Sequence, residues 1–190
     1  MIHRSLDALR LFVTLPVNGK VLDIGSEDGS HAFYMKSKGM DVITLDLCHK
    51  ADIKALWPVD LDFKVGAIWC SHVLEHSRNP GEFMDAFHKV LIPDGWLAVT
   101  VPPMKNEIVG GHVSTWNAGL LMYHLILGGF DCREAKVKTY GDNVSVVVQR
   151  KAVTLPELKY DSQDIEMLAR FFPIPARQGF NGIIEEWNWA

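Results

Sequence analysis

Segments typical of β-strands alternate with segments typical of α-helices through about 150 residues of this chain. Four short runs of apolar and β-branched residues predict buried strands, at 20–25, 41–47, 65–74 and 96–102. Three stretches with helical patterning lie between and after them, at 31–39, 79–95 and 116–128. Strands separated by helices pair in parallel through crossover connections. This order therefore predicts an α/β fold with helices on both faces of one sheet.

The last part of the chain departs from this alternation. Two strand-like runs joined at residues 141–143 predict an antiparallel hairpin at one edge of the sheet. We therefore expect a Rossmann-like sheet of seven strands, mostly parallel, in a domain spanning 1–153. Residues 154–190 contain an acidic helix candidate at 161–172 and several aromatic side chains. Because these aromatics provide apolar surface to bury, the extension is predicted to pack on the same domain.

Composition excludes several functional classes. The 190 residues carry a formal net charge of −4, which argues against a nucleic-acid binder that relies on bulk positive charge. The three cysteines, Cys48, Cys70 and Cys132, form no CxxC pair and indicate neither a zinc knuckle nor a disulfide framework. No run approaches the roughly 20 apolar residues of a membrane span, and the charged start of the chain is unlike a signal peptide. We therefore expect a cytoplasmic protein with no membrane span.

The segment 21–30, VLDIGSEDGS, joins a predicted strand to a predicted helix through a glycine loop. Gly25 allows a tight turn and lets the backbone approach a ligand without a Cβ clash. Backbone amides at the start of the next helix then face that ligand. The same pattern also occurs in strand-to-helix turns that bind nothing, so the loop alone does not decide function.

Two acidic residues near the second strand strengthen the case for a nucleotide. Asp46 ends that strand 21 residues after Gly25, where nucleotide-binding folds place a carboxylate for the ribose hydroxyls. Asp52 follows in a short segment and is a candidate acceptor for an adenine amino group. The competing interpretation is that both are solvated residues beside a strand end.

Together these features resemble a known family. The glycines of the loop, Asp46, the segment CSHVLEH at 70–76 and the segment KVLIPDGWLAVTVP at 89–102 resemble successive motifs of class I S-adenosylmethionine-dependent methyltransferases. The resemblance covers roughly 17–150 and is of the methyltransferase-11-like kind, similar to members from glycan and polysaccharide pathways. One position departs from the pattern: Glu27 stands where the family usually has glycine. Its side chain either points to solvent or blocks the cofactor.

The resemblance implies roles for individual residues. The methionine part of the cofactor is expected on the loop, at Asp23, Gly25, Ser26, Glu27 and Gly29. Asp46, with Leu47 beside it, is expected to hold the ribose, and Asp52 the adenine. Ser71 and His72 are expected to face the sulfonium and the acceptor.

Histidines in the loops at the expected ligand-binding edge are candidates for acid–base chemistry. Methyl transfer needs a base only when the acceptor is a hydroxyl or a protonated amine. We predict His112 as this base, with His72 as the alternative. The competing interpretation is that His112 only orders its glycine-rich loop. A metal site built from His72, His76, Glu75 and Asp94 is the less favoured alternative, and the prediction is that no metal is bound.

The sequence therefore predicts an S-adenosylmethionine-dependent methyltransferase acting on a small-molecule or sugar acceptor, as a monomer or homodimer. A catalytically silent domain of the same fold that binds a partner protein is the first alternative, favoured by Glu27 and the aromatic extension. A nicotinamide-dependent oxidoreductase is the second, but it predicts a third loop glycine where residues 25–30 read GSEDGS.

Overall fold

The computed structural model describes residues 4–48 and 50–189. Within them, one mixed sheet carries every named strand. The strands are β1 (Val21–Ile24), β2 (Val42–Asp46), β3 (Ile53–Lys54), β4 (Val65–Ser71), β5 (Leu91–Val101), β6 (Lys136–Tyr140), β7 (Asn143–Gln149) and β8 (Glu186–Trp187).

The strand order is β3-β2-β1-β4-β5-β7-β6-β8. The strands from β3 to β5 are parallel, while β7, β6 and β8 add in antiparallel pairs. This confirms the predicted Rossmann-like α/β class and its C-terminal hairpin. Within the described residues the sheet has eight strands rather than seven, because two short strands, β3 and β8, join the six runs seen in the sequence, and β8 comes from the extension and pairs with β6.

Helices cover both faces of the sheet, as predicted. They are α1 (Leu6–Phe12), α2 (Ser30–Ser37), α3 (Pro80–Val90), α4 (Ala118–Leu127) and α5 (Asp164–Leu168), with 3-10 turns at Leu74–His76 and Ala169–Phe171. Apolar residues of α1 and α2 form one core with the sheet, while those of α3 and α4 form the other. The first six residues of β4 are all buried, because helices cover both faces of the sheet at this strand.

One predicted boundary differs from the structure. The helix expected over 79–95 ends at Val90, and the chain enters β5 directly at Leu91. The Pro-Asp-Gly segment 93–95 is therefore an irregularity inside the strand rather than a turn after a helix. Pro93 biases the residue before it toward extended backbone, which favours this early change. Asp94 lies in the left-handed region at φ 60°, where its N–H donates to the Arg150 carbonyl at 2.8 Å.

The extension runs along the body of the domain. Leu168, Phe171 and Phe172 are buried in the same core as α3 and α4. The Thr139 hydroxyl donates to the Ile184 carbonyl at 2.7 Å, next to the pairing of β8 with β6. Aromatic side chains from this region therefore contribute to the core. No helix in the described part of the chain is long and apolar enough to cross a bilayer.

Candidate functional site

A cavity of about 880 Å³ opens at the carboxyl ends of β1, β2 and β4. The strand order reverses between β1 and β4, and ligands of open α/β sheets bind at such a reversal. The volume is within the range of small-molecule sites. Residues from all three strand ends line the cavity, including Gly25, Asp46 and Ser71.

The glycine loop forms one wall of this cavity. Gly25 has φ 71°, and a Cβ built on it would lie 2.2 Å from Cγ2 of Val73, so a larger residue does not fit. Gly29 has φ 79° and precedes α2, and a Cβ built on it would meet nothing within 4 Å. The loop is therefore tight against the protein at one glycine and open at the other. The predicted loop residues Ser26 and Glu27 also line the cavity.

Glu27 occupies a left-handed conformation, with φ 47°. Glycine adopts this region at little cost, which accounts for the glycine that the resembling family has here. The side chain of Glu27 is exposed at the cavity wall, and the cavity stays open with this side chain in place. Of the two interpretations of Glu27, the geometry favours the one in which the side chain points to solvent.

The Asp46 carboxylate is fixed at the tip of β2. Its Oδ2 accepts the Glu27 backbone N–H at 2.8 Å, and its Oδ1 accepts the Cys48 N–H at 2.8 Å. Asp46 lines the cavity together with the exposed Leu47. Each carboxylate oxygen has further lone pairs for hydroxyl donors of a ligand.

Asp23 lies behind the loop and is not among the cavity-lining residues. It is 1% exposed, and its Oδ2 has no hydrogen-bond partner within the described residues. Burial raises the pKa of Asp23 to about 7, with a further contribution from the charge of Asp46. The Asp23 carboxyl therefore lies buried behind the loop and carries a proton over part of the physiological pH range.

Asp52 does not lie where an adenine contact would need it. Its Oδ2 accepts both the backbone N–H and the hydroxyl of Thr44, each at 2.8 Å, and these bonds lower the pKa of Asp52. Asp52 is not among the residues that line the cavity. The carboxylate thus ties the start of β3 to β2, and the geometry gives no support to its predicted role with adenine.

Ser71 ends β4, His72 follows it, and both line the cavity. Asn143 Nδ2 donates to the Tyr140 carbonyl at 3.2 Å, and its Oδ1 accepts the Ser5 N–H at 3.1 Å. This orientation makes His72 Nε2 the donor in its 2.9 Å bond to Asn143 Oδ1.

The other ring nitrogen of His72 is also engaged. His72 Nδ1 lies 3.3 Å from Oε1 of the buried Glu75. Both ring nitrogens therefore lie within reach of acceptors that belong to the protein itself. The geometry gives His72 a positioning role and does not favour it as general base.

His112 does not line the cavity. Its ring stands edge-on to His76, with centroids 5.1 Å apart, on the loop that follows β5. His76 does line the cavity, and it neighbours both Glu75 and His112. The general base predicted at His112 thus lies one side chain away from the cavity wall.

The four residues of the alternative metal site, His72, His76, Glu75 and Asp94, do not lie together in the structure. Asp94 lies near the amino end of β5, close to Arg150, whereas His72 follows the carboxyl end of β4. The structure instead places Glu75 and His76 beside His112.

Several cavity-lining residues were not identified from the sequence. They include Arg4, His31, Trp57, Pro58, Arg78 and Phe83. Trp57 is buried, stacks on Phe87 at 5.6 Å, and has an indole N–H without a partner within the described residues. It lies just beyond β3, and this two-residue strand gives no pattern in the sequence that would have identified Trp57.

The family and the fold follow from comparison with known proteins. The family model described as a methyltransferase domain matches residues 2–120, well over half of the chain. A search of curated protein sequences found no match.

Solved structures share the fold at low sequence identity. A 1,6-didemethyltoxoflavin-N1-methyltransferase from Burkholderia thailandensis, solved with its substrate and S-adenosylhomocysteine, is 14% identical over 77% of each chain, with a TM-score of 0.63. An S-adenosylmethionine-dependent methyltransferase from Archaeoglobus fulgidus is 14% identical over 76% of this chain and 92% of that one, with a TM-score of 0.61. Human N-acetylserotonin methyltransferase, solved with S-adenosylmethionine, is 14% identical over 78% of this chain and 52% of that one, with a TM-score of 0.62. At these identities the likeness shows the fold, while the match over 2–120 shows that the chain belongs to the methyltransferase-domain family.

Proposed function

We propose that this protein is an S-adenosylmethionine-dependent methyltransferase whose acceptor is a small molecule, including a sugar unit. The observation that carries the proposal is the Asp46 carboxylate, held by the Glu27 and Cys48 amides at the wall of a cavity of about 880 Å³. Family membership and the position of the cavity at the strand reversal support the same function.

The residues present fit S-adenosylmethionine. The loop residues Gly25, Ser26 and Glu27 line the cavity and suit the amino-acid end of the cofactor, whereas Gly29 lies outside the lining. The Asp46 carboxylate suits the two ribose hydroxyls, which are paired donors. Apolar surface from Leu47, Trp57 and Phe83 suits the adenine ring.

Polar side chains of the cavity suit an acceptor with polar groups. Ser71, His72, His76 and Arg78 are among these side chains. The reaction needs alignment above all: a lone pair of the acceptor bonds to the methyl carbon, the carbon–sulfur bond breaks, and its electron pair stays on sulfur. A small-molecule acceptor is in keeping with the 1,6-didemethyltoxoflavin bound by the Burkholderia neighbour. We propose a sugar unit of a glycan or polysaccharide as one such acceptor.

Titration calorimetry with S-adenosylmethionine tests the proposal. We expect binding by the wild-type protein and binding about 10- to 100-fold weaker by Asp46→Ala, because hydrogen bonds to a charged group are lost. Asp41→Ala is the matched control, since Asp41 lies just before β2 at the end remote from the cavity. We expect this variant to bind as the wild type does.

The same titration separates the alternatives. Absence of binding at millimolar S-adenosylmethionine would reject the proposal and leave a domain of this fold without cofactor. Thermal stabilisation by a nicotinamide cofactor, with none from S-adenosylmethionine, would make the protein an oxidoreductase instead. Of these alternatives, the exposed position of Glu27 removes the main argument for a silent domain.

A further inference from the structure

Three side chains converge beside the cavity, and of these only His76 also lines it. Glu75 and His76 lie in the 3-10 turn after β4, and His112 lies on the loop between β5 and α4. One ligand atom from each residue lies within 4.8 Å of the other two. A carboxylate and two imidazoles form a common ligand set for divalent transition metals.

His76 is oriented as a metal ligand would be. Its Nδ1 lies 2.8 Å from the Gly111 carbonyl oxygen. A carbonyl is only an acceptor, so in the neutral ring Nδ1 carries the proton and Nε2 presents its lone pair. This lone pair faces the Glu75 carboxylate, with Nε2 3.9 Å from Oε1. Metal-bound histidines usually have their second nitrogen fixed by a carbonyl or carboxylate in this way.

Glu75 supplies the second observation. Its side chain is 1% exposed, and its Oε2 has no hydrogen-bond partner within the described residues. A buried carboxylate with an unsatisfied oxygen is costly unless a positive charge compensates it. Its Oε1 lies 3.3 Å from His72 Nδ1 and 3.9 Å from His76 Nε2, so the carboxylate stands between the two imidazoles and a cation at His76 would complete its compensation.

The backbone fixes the two segments relative to each other. The Val113 and Ser114 amides both donate to the Glu75 carbonyl, at 2.9 and 3.3 Å. The His112 N–H donates to the Val109 carbonyl at 3.0 Å, which closes the turn that carries His112. The loop is therefore anchored on both sides of His112 while its side chain remains partly exposed.

We propose that Glu75, His76 and His112 bind one divalent transition-metal ion of the zinc type. Ligand atoms of a tetrahedral zinc ion lie about 3.4 Å apart, so the side chains would move together by roughly 1 Å on binding. His76 is exposed and His112 is partly exposed, which leaves coordination positions open toward solvent. Because His76 also lines the cavity, an ion here could hold an acceptor oxygen. This last step, unlike metal binding itself, rests on the proposed function.

Cobalt titration of untagged, metal-free protein, followed by visible absorption and without S-adenosylmethionine, tests metal binding directly. We expect one Co²⁺ ion per chain, absorption bands typical of a nitrogen and oxygen ligand set of low coordination number, and displacement by Zn²⁺. The variants His112→Ala and Glu75→Gln should each weaken binding at least tenfold. His88→Ala is the matched control, because His88 is likewise half-buried but lies on α3 against Phe130.

The outcomes are distinct. Absence of Co²⁺ and Zn²⁺ binding by the wild type would overturn the proposal, as would equal binding by the wild type and His112→Ala. Circular dichroism of each metal-free variant identifies a loss of folding, and His112→Gln provides a second variant of similar size if His112→Ala is unfolded. Because cofactor is absent from the titration, its result does not depend on whether S-adenosylmethionine binds.

Discussion

The backbone N–H of Glu27 donates to Oδ2 of Asp46 at 2.8 Å. This bond joins the loop after β1 to the tip of β2, so the two parts of the proposed cofactor site form one unit. It uses a backbone group that any residue except proline provides. Glu27 itself has a left-handed backbone, with φ 47°.

Replacing Glu27 tests the cost of that conformation. Left-handed backbone costs an ordinary residue about 1–2 kcal/mol, and glycine avoids this cost but loses about 0.5–1 kcal/mol through its greater freedom when unfolded. We therefore expect Glu27→Gly to leave the free energy of unfolding unchanged or raise it by up to about 1 kcal/mol. Glu27→Val should lower it by about 1–3 kcal/mol, because β-branched residues are poorly accommodated there. Urea unfolding measures both changes. A large decrease in the free energy of unfolding of Glu27→Gly would contradict the left-handed backbone assigned to Glu27.

The two loop glycines should differ in their tolerance of alanine. Gly25→Ala adds a methyl group 2.2 Å from Val73 Cγ2 and also strains the backbone, so we expect a loss of about 2–4 kcal/mol in unfolding free energy. Gly29→Ala meets nothing within 4 Å, and only the backbone cost of about 1–2 kcal/mol applies. Adding Val73→Ala to Gly25→Ala should restore part of the loss. Equal destabilisation by the two alanine variants would contradict this geometry.

Asp23 predicts a pH dependence of stability. The pKa of this carboxyl is raised from 3.8 to about 7, first by burial and then by the charge of Asp46. A hydrogen bond with the Ala32 backbone and the charge of Lys36 act in the opposite direction. The protonated form is favoured in the folded state, so stability is greatest below pH 4 for this group and is lost as the pH rises toward 7. The shift corresponds to about 4 kcal/mol of stability at most.

Asp23→Asn isolates this contribution. The difference in unfolding free energy between the variant and the wild type should change with pH between about 4 and 7 and level off above, in favour of the variant. Urea unfolding at several pH values measures it. A difference that stays constant across this range would show that the Asp23 carboxyl has an ordinary pKa in the folded protein.

Asn143 connects α1 to the end of β4. Its Oδ1 accepts the Ser5 N–H and the His72 Nε2–H, both in a largely buried region. Asn143→Ala leaves these two donors without a partner, so we expect a loss of about 2–4 kcal/mol in unfolding free energy. Asn143→Asp keeps the accepting oxygen and should lose less. Hydrogen exchange at the Ser5 amide gives a local readout, and unchanged protection in Asn143→Ala would contradict the assignment.

The central fold could be predicted from sequence because its strands are buried on both faces. The run at 65–74 has no polar alternation, which is typical of a central parallel strand, and β4 occupies that place. The short β3 and β8 have two residues each, too few to give any period. Helix α1 was also not predicted, because its seven residues depend on packing against the sheet rather than on a long pattern.

The site was predictable only where residues follow strands directly. Asp46 and Ser71 end their strands, so topology alone brings them to the cavity. Asp52 and His112 lie further along loops, where side-chain hydrogen bonds and loop anchoring decide direction. The Thr44 bonds turn Asp52 toward β2, and the amides after His112 bind the Glu75 carbonyl. Such contacts between distant positions leave no mark in a single sequence.

The pairing of β8 with β6 also has a consequence for solubility. Strands of only two residues, β3 and β8, form the two borders of the sheet. An edge strand this short presents few free amides and carbonyls to a neighbouring molecule. At the β8 edge, the charged groups of Lys138 and Glu186 also lie 3.2 Å apart. Edge-to-edge polymerisation into fibrils is thereby disfavoured.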